Sequence, residues 1–544
     1  MQLEQFLEQT AARVPDKVAL VCDGRRVTYR EVETEANQLA HGLIARGVAR
    51  GDRVVIFLDN SVEAAVAVWA VLKAGAVFVM ANPTTKPDKL TYLLNNSRAA
   101  AVIAQVKRLR GYENCWNETP HLRNIIVVDD SSGVARPESS RGVDEVASNE
   151  PRSSQSLRAR HPQLQDCGHP LIGWKALVAE HAAQTQPPAK RGIDVDLAAL
   201  VYTSGSTGNP KGVMLTHQSM ISVSQSIISY LLNSPDDIVL SVLPLSYGYG
   251  LYQWLMCCHY GGTLILEKSL AYPHTILEKI VHEGATGFPM VPTIAAMLLQ
   301  LNLAHYDLSR LRYLTNAGAA FPVEYIARLR KQLPEVAIFS MYGLTECTRV
   351  CYLPPEEIDR CPDSVGKAIP NSETMILDEA GQRLGPNQVG ELVVRGSNVM
   401  KGYWEAPEET VKRLKPGQIP HEMWLYTGDL FRADDEGFLY WVGRQDDIIK
   451  SRGEKVSPRE VEDVLHQHPL IAEAAVVGVS DPVLGQAVRA VIRLQPGATL
   501  TTREVQAHCR QYLEDFMVPQ QVEIRDTLPK TPNGKIDKKR LVEA

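Results

Sequence analysis

The 544-residue chain has no Cys-x-x-Cys pair, and its nine cysteines stand at irregular spacings. That excludes a disulfide framework and a structural zinc site, and it fits a reducing compartment. There is no excess of positive charge: 57 Lys and Arg face 63 Asp and Glu, net −6, spread along the chain. Nothing in that balance calls for nucleic acid as a partner. No apolar run is long enough to span a bilayer. The longest, residues 62 to 79, is interrupted by Glu63, Lys73 and Ala74-Gly75 and reads as a buried helix followed by a strand. The N-terminus, Met1 to Glu8, lacks the basic head and apolar core of a secretory signal. A soluble, cytoplasmic protein without a membrane span is expected. Hydrophobic content of 44% and charged content of 22% are ordinary for a globular protein. At this length, two or more domains are required.

What is present is an alternation of strand and helix signals. Leu3, Phe6, Leu7 and Ala11 fall at helical spacing, and residues 18 to 29 read as a hairpin around Asp23-Gly24. Val54 to Leu58 reads as a buried strand, Ser61 as the cap of the helix ending at Lys73, and Ala76 to Met80 as the next strand. This predicts an α/β fold, a large N-terminal domain of stacked α/β subdomains. Residues 129 to 170, rich in Ser, Arg, Glu and Pro without apolar period, read as a flexible surface insertion. Further α/β units follow, including helices expected at about 274–283 and 292–301. From residue 390, short strands divided by turn residues predict a small β-rich subdomain. Beyond Arg444, residues 446 to 544 carry their own apolar pattern, enough for a small α+β domain. The boundary places domains at 1–445 and 446–544, with Asp446 as the hinge.

The most informative stretch is Tyr202 to Gly212, a polar loop fed by the apolar strand Leu197 to Val201. Gly205 and Gly208 free the backbone to turn its N–H groups inward. Thr203, Ser204, Ser206 and Thr207 add hydroxyl donors and Lys211 a point charge, a set suited to a polyphosphate. The loop does not have the Walker spacing, because counting from Gly205 the second glycine falls on Pro210. It is a phosphate loop of another kind.

Three further stretches carry chemistry. Met341-Tyr342-Gly343-Leu344-Thr345-Glu346 offers an aromatic face, a hydroxyl and a carboxylate, the groups that a purine, a phosphate and Mg²⁺ would use. Tyr426-Thr427-Gly428-Asp429 presents a carboxylate after a glycine turn, able to accept two ribose hydroxyls, and Arg444 in a loop could reach ribose or phosphate. Leu528 to Asp537 presents Lys535 from a loop stiffened by proline and glycine. Taken singly these are an ordinary helix-start carboxylate, an Asx turn and a surface lysine.

In this order, however, the stretches resemble the adenylate-forming superfamily of acyl- and aryl-CoA ligases, luciferases and peptide-synthetase adenylation domains, over nearly the whole chain. The resemblance implies that a carboxylic acid and ATP give an acyl-adenylate and pyrophosphate, after which the acyl group passes to a thiol. It implies that Thr203, Ser204, Gly205, Ser206, Thr207, Gly208 and Lys211 hold the β/γ-phosphates. Thr345 would contact the α-phosphate and Glu346 the Mg²⁺, while Tyr342-Gly343 and Ala317-Gly318-Ala319 flank adenine. Asp429 and Arg444 would bind ribose. Lys535 would bridge the carboxylate and α-phosphate as adenylation occurs. The small domain would then rotate about Asp446 and bring Lys450, Arg452, Gly453 and Lys455 over the site for thioester formation.

The acid pocket implied by the resemblance begins at Tyr247, Gly248 and Tyr249. The aspartate that amino-acid-activating members carry in this stretch has no counterpart between 243 and 253, so a free α-amino acid is disfavoured. Phe288, Met290, Val291, Ala317 and Gly318 make the expected pocket mainly apolar, suited to an aryl or fatty carboxylate. Coenzyme A is the expected acceptor, because the basic residues 450, 452, 455 and 459 could meet its phosphates. The alternative is a free-standing enzyme loading the phosphopantetheine of a carrier protein in trans, since no carrier-like Ser-centred helix start follows Lys535. A non-enzymatic relative is disfavoured by the intact Lys211, Thr345, Glu346, Asp429 and Lys535.

Overall fold

The computed structural model describes residues 1–109, 111–129, 168–203, 210–268, 270, 272–445, 447–451, 454–481, 485–531 and 534–542. Most of the insertion expected at 129–170, and the expected hinge Asp446, lie outside the described residues.

Two sheets form the body of the large domain. The first has seven strands in the order Leu171–Gly173, Asn124–Val128, Ala99–Gln105, Arg53–Phe57, Val77–Met80, Leu197–Thr203 and Lys211–Thr216. All its pairings are parallel except the last, where Leu197–Thr203 and Lys211–Thr216 run antiparallel. The second has nine strands. Its order is Lys367–Ala368, Cys351–Leu353, Ala337–Tyr342, Tyr313–Asn316, Gly287–Met290, Ile238–Ser241, Thr263–Leu266, Val18–Cys22 and Arg25–Thr28. The N-terminal hairpin thus joins a sheet whose next strand lies more than two hundred residues on, pairing Leu20 with Leu264 in parallel.

The helix Val62–Lys73 shows why the longest apolar run is not a membrane span. Ser61 caps it by accepting from the Ala64 N–H, and every residue of it but Glu63 is buried. Trp69 meets Trp254 of the helix Gly248–Tyr260 at 6.3 Å between ring centroids, and the Trp254 indole donates to the Ala65 carbonyl at 3.0 Å. One apolar cluster embraces this helix and residues of both sheets. Lys73 can end buried because its ammonium pairs with Glu8 at 3.0 Å and Glu33 at 2.8 Å. Among the described residues, no helix is long and apolar enough to cross a membrane.

The β-rich subdomain is an antiparallel sheet of Ser372–Leu377, Gly390–Gly396, Leu414–Pro416, Met423–Ala433 and Leu439–Arg444. Here the structure corrects two local readings. Asp429 lies inside the strand Met423–Ala433 rather than after a turn, although Gly428 has a positive φ of 72°. Arg444 closes the strand Leu439–Arg444 rather than standing in a loop, and it is the cross-strand partner of Asp429. Tertiary pairing overrides the local Gly-Asp turn signal. The helix expected at 292–301 ends at Leu298.

The C-terminal part has its own sheet, Ile449–Ser451, Glu454–Val456, Ile471–Asp481, Gly485–Leu494 and Gln521–Ile524, covered by the helices Pro458–Gln467 and Thr502–Tyr512. Its core, including Val461, Leu465, Val476, Ile492 and Val505, is separate from the large cluster. It docks on the large domain through hydrogen bonds and through aromatic contacts of Tyr325 with His466 and of Trp441 with Arg459. Tyr325 donates to the Ala472 carbonyl at 3.0 Å, and Arg459 donates to the Trp441 carbonyl at 2.9 Å and the Asp363 carbonyl at 3.3 Å.

Candidate active site

The loop that looked like a phosphate cradle is the connection of a β-hairpin, since Thr203 and Lys211 are cross-strand partners. Ser204, Gly205, Ser206, Thr207 and Gly208 lie outside the described residues. Lys211 opens the returning strand, and no helix begins there. Its ammonium pairs with Glu409 and lies 5.4 Å from the ring centre of Tyr403. Lys211, first, and then Lys412 hold the Glu409 carboxyl down to about 2. The Tyr403 hydroxyl donates to Glu346 Oε1 at 2.5 Å. Backbone bonds hold this cluster together: Tyr403 bridges Val213, and the Met400 N–H donates to the Glu346 carbonyl at 2.7 Å. Lys211 and Glu346 were expected. Tyr403 and Glu409 were not, and the signal that could have found Tyr403 is the aromatic pair Tyr403-Trp404 directly after Gly402.

A second cluster forms where Ala337–Tyr342 meets the β-rich subdomain. The Tyr342 hydroxyl donates to Asp429 Oδ2, and its ring meets Phe431 edge-on at 4.9 Å. Arg444 Nε lies 3.3 Å from Asp429 Oδ1, yet that oxygen is buried with no hydrogen-bond partner. Burial pushes the Asp429 carboxyl up, opposed chiefly by Arg444. Arg444, whose side chain is about half exposed, is raised on balance: desolvation lowers it, and Asp429 together with Asp447, Tyr342 and Glu346 more than offsets that. An orphaned carboxylate oxygen beside a guanidinium suits a pair of vicinal hydroxyls. Thr345 and Gly343, on the loop between them, are half-buried.

Lys535 reaches this region from the other domain. Its loop is a small hairpin, with the Thr531 N–H donating to the Lys535 carbonyl at 2.7 Å and Gly534 supplying a φ of 79°. A methyl group placed on Gly534 would stand 3.4 Å from Thr293 Oγ1, so the loop rests on the start of the helix Pro292–Leu298. A methyl on Gly318 would stand 3.5 Å from Lys535 Cε and run into the Tyr247 hydroxyl. Gly318 itself has a φ of 90°, which together with that crowding leaves room only for glycine. Burial lowers the Lys535 ammonium, Arg444 adds to the lowering, and Asp429 opposes it. The lysine therefore lies within electrostatic reach of the Asp429–Arg444 pair.

On the acid side, Tyr247 precedes the helix Gly248–Tyr260, and Gly248 is its first residue. The rings of Tyr247 and Tyr249 meet edge-on at 6.4 Å, and the Tyr249 hydroxyl shares a 2.5 Å hydrogen bond with Thr315 Oγ1. Phe288 and Met290, on the strand Gly287–Met290, are buried, as are Val291 and Ala317; Ala319 is exposed. Arg349, unforeseen, lies 4% exposed with its guanidinium carbon 5.4 Å from the Tyr249 ring centre. Its sequence signal was weak: one arginine three residues after Glu346 in an otherwise apolar run. Of the expected thiol-transfer residues, Arg452 and Gly453 lie outside the described residues, as do the side chains of Lys450 and Lys455.

Two family models match the chain: the AMP-binding enzyme family over residues 7–404, and the AMP-binding enzyme C-terminal domain over residues 460–535. The chain belongs to the AMP-binding enzyme family. A long-chain-fatty-acid–CoA ligase of Bacillus subtilis (strain 168) is 32% identical over 99% of this chain and 94% of its own. An anthranilate CoA ligase, solved in complex with anthranoyl-AMP, is 26% identical with a TM-score of 0.86, covering 99% of this chain and 96% of its own. A benzoate CoA ligase from Burkholderia xenovorans LB400 is 26% identical with a TM-score of 0.83, covering 100% of each chain. The chain is an ATP-dependent, AMP-forming carboxylate–thiol ligase of the acyl-CoA synthetase type.

Proposed function

We propose that the two clusters and Lys535 are one active site, in which a carboxylic acid is joined to AMP and then handed to coenzyme A. The reading rests on one observation: Lys535, from the C-terminal part, lies against Gly318 and within reach of Asp429 and Arg444. Asp429 and Arg444 take the ribose. Tyr342 and the Ala317-Gly318-Ala319 loop bound the adenine, with Thr345 near the α-phosphate. Lys211 and the hairpin connection at 204–208 take the β- and γ-phosphates, for which Lys211 must exchange Glu409 for phosphate. Mg²⁺ fits Glu346. Among the described residues no group of three His, Cys, Asp or Glu could cage an ion, so Glu346 would share it with phosphate oxygens and water. The ion would offset phosphate charge.

Attack of a carboxylate on the α-phosphate brings two anions together, and charge builds on the oxygens between them. Lys535 supplies a fixed positive charge there, in a site that excludes much of the water. The acyl-adenylate forms as pyrophosphate leaves. The C-terminal domain, residues 446–544, then turns about Asp446. It withdraws Lys535 and brings the 450–455 loop over the adenylate, where the thiolate displaces AMP. Its separate core suits such a movement. Work in the cytoplasm fits the ATP and CoA demand. A pyrophosphate-release screen over aryl and short, medium and long-chain acids, repeated with CoA and with carrier proteins as acceptor, tests this reading. Acid-dependent release followed by a CoA thioester supports it; release that yields thioester only on a carrier protein overturns the CoA assignment.

A further inference from the structure

Three cations are buried among the described residues, and two have partners. Lys73 has Glu8 and Glu33, while Arg459 has Asp463 at 3.4 Å and two backbone carbonyls. The third, Arg349, pairs with no carboxylate among the described residues, and its Nε is buried without a hydrogen-bond partner. Its neighbours are neutral. They are the ring of Tyr249 and the hydroxyl of Tyr230, which accepts a hydrogen bond from the guanidinium and itself donates to Met341 Sδ at 3.1 Å. An aromatic face attracts a guanidinium but leaves it a net charge in a dry place, and a buried charge is ordinarily paired.

The backbone holds it there. Thr348, immediately before Arg349, has a φ of 62°, an unusual value for a β-branched residue, and its hydroxyl bonds that of Tyr252 at 3.3 Å. The Asn398 amide donates to the Arg349 carbonyl at 2.7 Å. From Arg349, contacts run to Tyr249, on to Tyr247 and so to Gly318 and Lys535. The guanidinium thus lies two aromatic rings away from the lysine assigned to the reacting carboxylate.

Resting on the proposed acid pocket, we infer that Arg349 is the specificity-determining residue of that pocket, its guanidinium receiving a second carboxylate carried by the acid substrate. The proposed pocket is then bordered by the rings of Tyr247 and Tyr249, with a cation at each end. The carboxylate at Lys535 reacts, and the one at Arg349 is held in the fork of N–H donors that matches its geometry. A plain fatty tail would leave the guanidinium buried without a counter-ion, whereas a dicarboxylate supplies one.

The test is acid-dependent pyrophosphate release by the full-length enzyme. Its substrates are a ladder of straight-chain monocarboxylic acids and the α,ω-dicarboxylic acids of equal carbon count, with matched aryl mono- and diacids alongside. The wild type should prefer a diacid. In Arg349→Gln, kcat/KM for that diacid should fall on the order of a hundredfold, mostly through KM, while the matched monoacid changes little. Arg349→Lys should restore part of the loss, and Arg349→Met should favour monoacids. Wild-type preference for monoacids overturns the inference. So does an equal loss on both ladders in all three variants, or a loss that follows thermal stability rather than the second carboxylate. No acid-dependent release on any ladder would instead refute the acid-activating site itself.

Discussion

At the proposed nucleotide end of the site, the charged groups meet partners within the chain: Lys211 has Glu409, Glu346 has Tyr403, and Asp429 has Tyr342 and Arg444. At the acid end, Arg349 sits among aromatic rings without a carboxylate among the described residues. The difference shows how each end is prepared. The nucleotide end holds its groups in place by internal ion pairs and hydrogen bonds, some of which ATP must replace. The acid end holds one charge by packing and leaves its neutralisation to the substrate. Specificity for the acid then comes from the cost of leaving that charge unpaired.

Lys535 stands between the two ends, so its loss breaks the comparison most severely. Lys535→Ala should lower acid-dependent pyrophosphate release by about 10³-fold. Thioester formation from supplied acyl-adenylate should remain within a few-fold, and equal loss in both half-reactions would refute the assignment. The nucleotide end comes next. Asp429→Asn should raise KM for ATP by roughly tenfold to a hundredfold, with KM for the acid nearly unchanged. A matching rise for both substrates would mean that the two ends are not separable.

The pH dependence sharpens the same boundary. In the proposed mechanism Lys535 works as a cation, and burial followed by Arg444 sets its pKa below the usual lysine value. Raising the pH through that lowered value neutralises it, so adenylation by the wild type should decline on the alkaline side before an ordinary lysine titrates. In Lys535→Arg, whatever activity remains should lose that limb, because a guanidinium stays charged. Rates that hold constant up to the ordinary lysine range would count against a partly desolvated, catalytic ammonium. The smallest effect should come from a segment assigned to neither end. Deleting residues 131–165 should leave ATP-dependent release within about twofold, as their composition suggests a segment outside the packed core. A large loss would make that segment part of the site.

The nucleotide end was the more legible in the sequence, because its groups come as short contiguous stretches. Tyr342 to Glu346 and Thr203 to Lys211 each pack several donors and acceptors into a short stretch, and it is their order along the chain, as a family resemblance, that points to phosphate and purine. Asp429 and Arg444 were legible as residues but not as a pair. Fifteen positions apart, they become opposite partners only through the register of two antiparallel strands. Tyr403 and Glu409 escaped notice because nothing local marks an aromatic or an acid that will lie across from Lys211. Arg349 escaped for a related reason. A lone arginine is usually solvated, and only burial beside Tyr249 removes its water.

From the sequence by itself came the α/β class and the β-rich stretch before the C-terminal part and, through the resemblance carried by the ordered motifs, the adenylating chemistry and the expectation that Lys535 serves it. These depend on period, punctuation and short-range chemistry, which survive in one dimension. Only the tertiary structure decided that the N-terminal hairpin completes the far sheet, that the phosphate loop joins two antiparallel strands, and that Lys535 reaches Gly318 from another domain. It alone decided that Arg349 is buried beside Tyr249 with no carboxylate partner among the described residues. Burial and pairing across hundreds of residues depend on which surfaces pack together, and no local spacing encodes that.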